Sequence, residues 1–519
     1  MLKPPIQSGR RTGITRRQAL QQTATALALA ARPIWGATAS PAGRRPNLLL
    51  LMDDQHRGDC LGLAGNRIIR TPHLDRIGAE GALFRCAYAS LPSCTPSRAG
   101  LLTGLSPWGH GLLGYGRIAP HYRNEMPRLI RDAGYYTIGI GKMHWHPQRT
   151  LHGFHATVLD EEGRVESPGF QSDYRSWFAR EAPGLDPDAT GIGWNDYQAR
   201  AYALPERLHP TRWTADRAVE FLQGYNREEP FFLKVSFARP HSPYDPPQRF
   251  FDVYKDADLP KAHVGAWAER YACRGMKLPP DTWRGDLGEK QVRRSRQGYY
   301  GSISFVDEQV GRILETLEKR GQLENTLILY TSDHGDMTGD QNLWRKTYAY
   351  EPSAHIPMLV RWPERFMSAR RGQVLNQPVE IRDVLPTLLD AAGALSDPHR
   401  FDGRSLLDLI RGRTTNWRPF IDLEHDVCYA RENHWNALTD GKTKYIFHAL
   451  DGWQQLFNLE HDPAELHDLA SDPAHAQTLR LWRRRLIDHL RPRGRMFVVN
   501  DALALRPKGL LYGPNYPRS

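Results

Sequence analysis

The chain has 519 residues, of which 40% are hydrophobic and 24% charged, a globular composition with length for more than one domain and a large buried core. Its formal charge of +11 comes mostly from residues 1–45, where Lys3, Arg10, Arg11, Arg16, Arg17, Arg32, Arg44 and Arg45 stand with no acid, leaving +3 for the rest. That balance argues against a nucleic-acid protein, which needs a basic face on its folded part, and leaves room for a positive pocket for a small anion.

In chain order, residues 1–45 read as an export signal with a linker. Arg16-Arg17 precede a weakly apolar run, Ala24–Ala31, and a small-residue cleavage site at Ala37-Thr38-Ala39. The pattern resembles a twin-arginine signal, which predicts export machinery as a partner and a periplasmic or secreted protein. The run is too short to span a bilayer, and no later stretch qualifies as an integral membrane segment.

Asn47–Met52 is a continuous apolar run, the form of a strand buried on both faces. Thr71-Pro72 opens a helix that stops at Gly81. Asn124–Ala133 reads as a helix, Tyr136–Gly141 as a strand, Thr211–Tyr225 as a helix and Phe231–Phe237 as a strand. Residues 160–195, rich in Gly, Pro, Asp and Ser, read as a long surface insertion. Glu289–Arg320 is a long helical region with a break expected near Gly298 or Gly301. Thr326–Thr331 and Met358–Trp362 are strands, and Ile381–Ala392 is an amphipathic helix ended by Gly393. Alternating strands and helices predict an α/β fold: a large mixed, mostly parallel sheet sandwiched by helices over residues 46–410. Near residue 410 the texture changes. Trp435–Leu438, Tyr445–His448 and Gln455–Phe457, then a helix over Ala476–Leu490, predict a small antiparallel sheet with a helix in a C-terminal subdomain, 411–519.

Four strands run into polar clusters: Asp53-Asp54; Lys142-Met143-His144; Arg239-Pro240-His241; and Ser332-Asp333-His334. Parallel sheets bind ligands beyond the carboxyl ends of their strands, so the four junctions point to one convergent site. Asp53, Asp54 and Asp333 offer hard oxygens that suit Ca²⁺ or Mg²⁺, with His334 as a further ligand or a substrate contact. The cysteines, Cys60, Cys86, Cys94, Cys273 and Cys428, are odd in number and irregular in spacing, so no disulfide framework or zinc motif is expected. Cys94 stands at the mouth of a helix, where unpaired N–H groups and the helix dipole would activate a thiol, with Arg98 one turn on. Carboxylates gathered for a hard metal are an odd setting for a thiol nucleophile.

The segment CTPSRAGLLTG (Cys94–Gly104) resembles the type I sulfatase signature of the alkaline phosphatase superfamily. Asp53-Asp54-Gln55, Gly141-Lys142-Met143-His144, Ser332-Asp333-His334-Gly335, Lys346 and residues 456–470 extend the resemblance over about 46–490. The resemblance implies that Cys94 is oxidised to Cα-formylglycine (3-oxoalanine) by a formylglycine-generating or other sulfatase-maturing enzyme. It implies Asp53, Asp54, Asp333, His334 and residue 94 as ligands of Ca²⁺, with Mg²⁺ as the other choice. Arg98, Lys142 and Lys346 would hold the formylglycine diol and the sulfate, and His144 and His241 would be the catalytic histidines. His146 competes with His144 for its role. Gln341 departs from the family pattern, in which His is frequent at that step.

The implied activity is hydrolysis of sulfate esters, as in an arylsulfatase, on a sulfated small molecule or carbohydrate. A hydrated aldehyde offers one hydroxyl for attack and a second to expel sulfate, splitting one hard displacement in two. The rival readings are a phosphonate monoester hydrolase or phosphodiesterase of the same superfamily and a non-catalytic sulfoglycan-binding protein. Trp108, His110, Tyr115, Trp145 and Tyr244 are candidate pocket aromatics.

Overall fold

The computed structural model describes residues 45–518; the export signal read at residues 15–39 lies outside them. The described residues belong to one compact unit. Its centre is an eight-stranded sheet. In chain order its strands are β1 (Asn47–Asp54), β2 (Ala82–Phe84), β3 (Tyr136–Gly141), β4 (Ala156–Leu159), β5 (Phe231–Pro240), β6 (Thr326–Ser332), β7 (Met358–Arg361) and β8 (Gln373–Leu375). They lie side by side as β4-β3-β5-β1-β6-β7-β2-β8. All neighbouring strands run parallel except β7, which is antiparallel to β6 and to β2.

The apolar runs of β1 and β6 are buried on both faces because helices cover both. Leu48, Leu50 and Met52 pack with Leu327 and Leu329 against Ala99, Leu101 and Leu102 of α2 (Cys94–Thr103). Leu49, Leu51, Ile328 and Tyr330 face the other way. They meet Leu74 of α1 (Pro72–Ala79), Ala215 and Ala218 of α3 (Pro210–Gly224), and Val306 and Val310 of α4 (Glu289–Lys319).

The break expected in α4 is absent; the helix is continuous. Its glycines serve close packing instead. A Cβ on Gly298 would stand 2.7 Å from the Tyr244 carbonyl oxygen, and one on Gly301 2.8 Å from Pro246 Cγ. The predicted helix over Ile381–Ala392 forms as a 3₁₀ turn, Ile381–Asp383, that runs into α5 (Val384–Ala391).

The change of texture near residue 410 marks the switch to an antiparallel sheet of β9 (Ile421–His425), β10 (Trp435–Thr439), β11 (Thr443–His448) and β12 (Gln454–Asn458), paired in that order. α6 (Ala476–Leu490) closes it, burying Trp482, Leu486 and Leu490 against Leu438, Tyr445 and Leu456. β9 has no counterpart in the sequence reading. All five cysteines are unpaired. No helix among the described residues is long and apolar enough to cross a membrane.

Candidate active site

In the sheet β3, β5, β1 and β6 are consecutive and parallel, so the four polar junctions fall on one edge. α2 lies over that edge, entirely buried, with Cys94 as its first residue. The helix ends where the signature ends. Gly104 takes a left-handed conformation (φ 68°), and its N–H donates to the Gly100 carbonyl at 2.8 Å. A Cβ there would stand 2.8 Å from the Phe401 ring. Ser97 Oγ is buried without a hydrogen-bond partner.

Asp54, Cys94, Asp333 and His334 bring one ligand atom each into a cluster within 4.8 Å. Cys94 Sγ is 3.1 Å from His334 Nε2 and 3.7 Å from Asp54 Oδ1. His334 Nδ1 lies 2.9 Å from the Gly335 carbonyl, which makes Nδ1 the donor there and turns Nε2 to the cluster; burial would lower this imidazole, but Asp333, Cys94 and Asp54 raise it. Two carboxylates, the inward-facing Nε2 of His334 and residue 94 form a donor set fit for a divalent cation, which would take the place of a proton on Nε2.

Asp53, expected in the ligand set, lies outside this four-residue cluster, with its Oδ1 buried and without a hydrogen-bond partner. It sits at a register irregularity of β1 between Met52 and Asp54. There its Oδ2 is 2.7 Å from both His56 Nδ1 and the Tyr330 hydroxyl.

Four basic groups surround the cluster. Arg98 donates from Nε to Asp333 Oδ2 at 2.7 Å, from Nη2 to Asp54 Oδ2 at 3.1 Å, and from Nη1 to the Lys142 carbonyl at 2.7 Å. Lys142 Nζ is 2.5 Å from Asp54 Oδ2. Lys346 Nζ donates to Gln55 Oε1 at 2.9 Å and Asn195 Oδ1 at 3.0 Å, and reaches His241 Nε2 at 2.6 Å. His241 Nδ1 is 2.8 Å from the Ser242 carbonyl, which puts the proton on Nδ1 and makes Nε2 the acceptor from Lys346.

The charges set the protonation states. Burial alone would raise the Asp54 carboxyl, but Lys142, with His241, His334 and Arg98, holds it well below the usual carboxylate range. Burial and Asp54 push the Cys94 thiol up; Lys346, Lys142 and His334 outweigh them and leave it lower than an ordinary thiol. Burial and Lys346 hold His241 far below the usual imidazole range, and burial with Arg164 does the same for His144. Burial also lowers Lys346, although Cys94 and Asp54 pull it the other way, which brings it nearer to giving up a proton.

His144 is buried, with Arg164 Nη1 2.8 Å from its ring nitrogens, whereas His146 is partly exposed and makes no contact with these groups. Of the candidate aromatics, Trp145 packs on Phe154 and His152 in the core, and Tyr244 donates to Asp336 beside Tyr299. Tyr115 is 42% exposed with its ring centroid 6.1 Å from that of His144, which places it at the rim. Trp108 and His110 lie elsewhere, Trp108 against Phe497 and His110 packed near Gly100. A cavity of about 1070 Å³ lined by Trp108, Arg382 and Trp417 shares no residue with the cluster. Gln341 ties loops together, donating to the Ala464 carbonyl at 2.8 Å, and is no part of the site.

The segment 160–195 is not only a surface insertion. β4, too short to stand out in the sequence, is a fifth parallel strand on the same edge, and it delivers Asp160, Glu161, Glu162 and Arg164, all buried. Glu161 Oε1 accepts the backbone N–H groups of Met143 and His144 at 2.9 and 3.0 Å. Gln55 and Asn195 are the other contributors the sequence did not single out. Gln55, His144, Glu162 and Asn195 all have φ between 54° and 74°. Left-handed backbone at four non-glycine residues around one cluster is strain that the surrounding structure must hold.

A family model described as Sulfatase matches residues 46–394, and one described as N-sulphoglucosamine sulphohydrolase, C-terminal, matches residues 339–491. The chain is 40% identical over 472 residues to an arylsulfatase of Clostridium perfringens, covering 88% of this chain and 97% of that one. It is 33% identical over 447 residues to a choline-sulfatase of Rhizobium meliloti, covering 83% of each. The crystal structure of a phosphonate monoester hydrolase of Agrobacterium radiobacter superposes with a TM-score of 0.74 at 25% identity, covering 89% of this chain and 100% of that one.

Proposed function

From a chain that belongs to the sulfatase family of the alkaline phosphatase superfamily, and so is a hydrolase of sulfate esters, we propose a mechanism that runs through residue 94 as formylglycine beside a divalent cation. The observation that carries it is the burial of Cys94 at the head of α2, among two carboxylates, the His334 Nε2 and three cationic side chains. A thiol has no use for that company, whereas an oxygen nucleophile and a sulfate group do. The unpartnered Ser97 hydroxyl fits a signature kept for the maturing enzyme rather than for the fold.

Asp54, Asp333 and His334 would hold Ca²⁺ or Mg²⁺, which supplies Lewis acidity toward the sulfate oxygens and the residue 94 hydroxyl. As hydrated formylglycine, residue 94 would offer one hydroxyl for attack on sulfur with loss of the ester oxygen, and a second whose deprotonation would let its C–O bond to sulfate break and the aldehyde re-form. Arg98 and Lys142 stabilise the charge that grows on the sulfate oxygens. Lys346 Nζ, hydrogen-bonded to His241 Nε2, holds the proton that the departing oxygen needs. His144, held uncharged, can take a proton from the diol. The N-terminal segment supports export to the periplasm or beyond, which places the maturation step before export of the folded chain.

The substrate is an aryl sulfate or another sulfate monoester whose leaving group meets Tyr115 at the rim. The second reading is phosphonate monoester hydrolysis, favoured by the TM-score of 0.74 to such an enzyme. Turnover of 4-nitrophenyl sulfate and of 4-nitrophenyl phenylphosphonate by the same preparation separates the two. Sulfate preferred in kcat/KM supports the first; phosphonate preferred overturns it.

A further inference from the structure

The acids just past β4 belong to no motif of the sequence, yet one of them touches both sides of the site. Glu162 is buried (side chain 2% exposed) and holds a left-handed backbone, φ 54°, that glutamate has no intrinsic reason to adopt. Its Oε2 is 2.8 Å from Lys142 Nζ and pairs with the Arg164 guanidinium. Its Oε1 is 3.5 Å from His241 Nδ1 and has no hydrogen-bond partner. Arg164, stacked 4.9 Å over the exposed Trp194, carries the contact on to the His144 ring. Lys142 is therefore clamped from two sides, by Asp54 and by Glu162.

A lysine is a point charge on a flexible stem and fixes nothing by itself. Asp54 cannot fix it alone, because the same Oδ2 also accepts from Arg98. Leaving either Lys142 or Arg164 buried without its counter-charge would be costly, so the strained Glu162 backbone is held by the contacts it makes possible.

We propose that Glu162 is a positioning residue for sulfate-ester hydrolysis, whose buried carboxylate locks the Lys142 ammonium and, through Arg164, the His144 ring in the arrangement the sulfate group meets. The proposal rests on the sulfate-ester mechanism above. It assigns Glu162 no contact with substrate. Its loss should therefore appear in kcat rather than KM, and should shrink when Lys142 is absent to the share carried through Arg164 and His144.

The test is a double-mutant cycle on full-length, formylglycine-bearing enzyme with 4-nitrophenyl sulfate. Glu162→Gln, which keeps the shape and removes the charge, should lower kcat about 10- to 100-fold with KM within about threefold, the range for removing a partner that orients a reactive group. In a Lys142→Met background the same change should cost about threefold or less. An undiminished loss in that background marks a general structural effect and overturns the proposal. Arg164→Lys keeps the cation but gives up the planar fork spanning Glu162 and His144, and should lower kcat about tenfold. Wild-type kcat in either Glu162→Gln or Arg164→Lys overturns the proposal. Because Arg164→Lys retains the charge, it stands as the second variant where Glu162→Gln does not fold. Wild-type turnover and the mass of residue 94 are scored first. An inactive wild type carrying formylglycine overturns the mechanism and this proposal together, whereas an active wild type with indifferent variants overturns the Glu162 role alone.

Discussion

Replacing Arg98 by Met probes the electrostatic centre of the site in a single step. Arg98 is 1% exposed and makes hydrogen bonds to two buried carboxylates, to the Lys142 carbonyl and to Ser236 Oγ. Methionine fills much of the volume and removes every one of them. Asp54 keeps Lys142 at 2.5 Å, but Asp333 is left with the Gln55 N–H at 3.2 Å and His334 Nε2 at 3.7 Å. Taking one partner from a buried charge pair costs about 3–5 kcal/mol. Over residues 45–518, at roughly 2.1 cal/mol/K per residue, the unfolding entropy is about 1 kcal/mol/K, so Tm should fall by about 3–5 °C. That figure applies with the metal removed by EDTA. A bound divalent cation offsets the charges of Asp54 and Asp333, so the fall should shrink when Ca²⁺ or Mg²⁺ is saturating. Arg98→Lys reaches one carboxylate only and should recover part of the loss. Differential scanning calorimetry of the three proteins, with EDTA and with each cation, reads all of this. A fall below about 1 °C in EDTA, or the same fall with and without cation, would refute the reasoning that Arg98 and a metal share these carboxylates.

Two further outcomes follow from protonation. Asp307 on α4 caps the N-terminus of α1, accepting from the His73 and Leu74 N–H groups at 3.1 and 2.8 Å, and burial pushes its carboxyl up to about 8. From the unfolded value near 4 up to about 8 the folded chain holds a proton that the unfolded chain releases, so this group costs stability as pH rises through that window. Asp307→Asn should match wild type near pH 4.5 in urea midpoint and gain on it up to about pH 8.5; a difference that stays flat with pH contradicts the assignment. Lys346→Met removes the proton held for the departing oxygen. It should lower kcat/KM by about 10²–10⁴ for an alkyl sulfate, whose leaving oxygen must be protonated, and by about tenfold or less for 4-nitrophenyl sulfate. Equal losses on the two substrates would contradict the acid role.

The sheet was legible because its central strands are continuous apolar runs with covered faces, and Asn47–Met52 and Thr326–Thr331 could hardly be anything else. The site was legible where a strand end carried its own chemistry, as at Asp54, Lys142, His241 and Asp333. Several features escaped. Asp53 looks equivalent to Asp54 in the sequence, yet Asp54 joins the four-residue cluster while Asp53 Oδ2 is taken up by His56 and Tyr330. β4 is four residues long, with three of them partly exposed, so the acids after it read as loop polarity rather than as a fifth strand end. Gln55 and Asn195 act through backbone conformations, at φ 74° and 59°, that residue type does not announce. The helix α4 was misjudged at Gly298 and Gly301 because a glycine that admits a neighbouring backbone looks the same as one that breaks a helix.

The central claim is that residue 94 acts as formylglycine. Mass spectrometry of the peptide spanning Cys94, taken on the preparation whose 4-nitrophenyl sulfate turnover is measured, tests it directly. The account predicts the formylglycine mass at residue 94, a turnover proportional to the fraction converted, and none in Cys94→Ala. Full turnover from protein that carries only the unmodified thiol would contradict it.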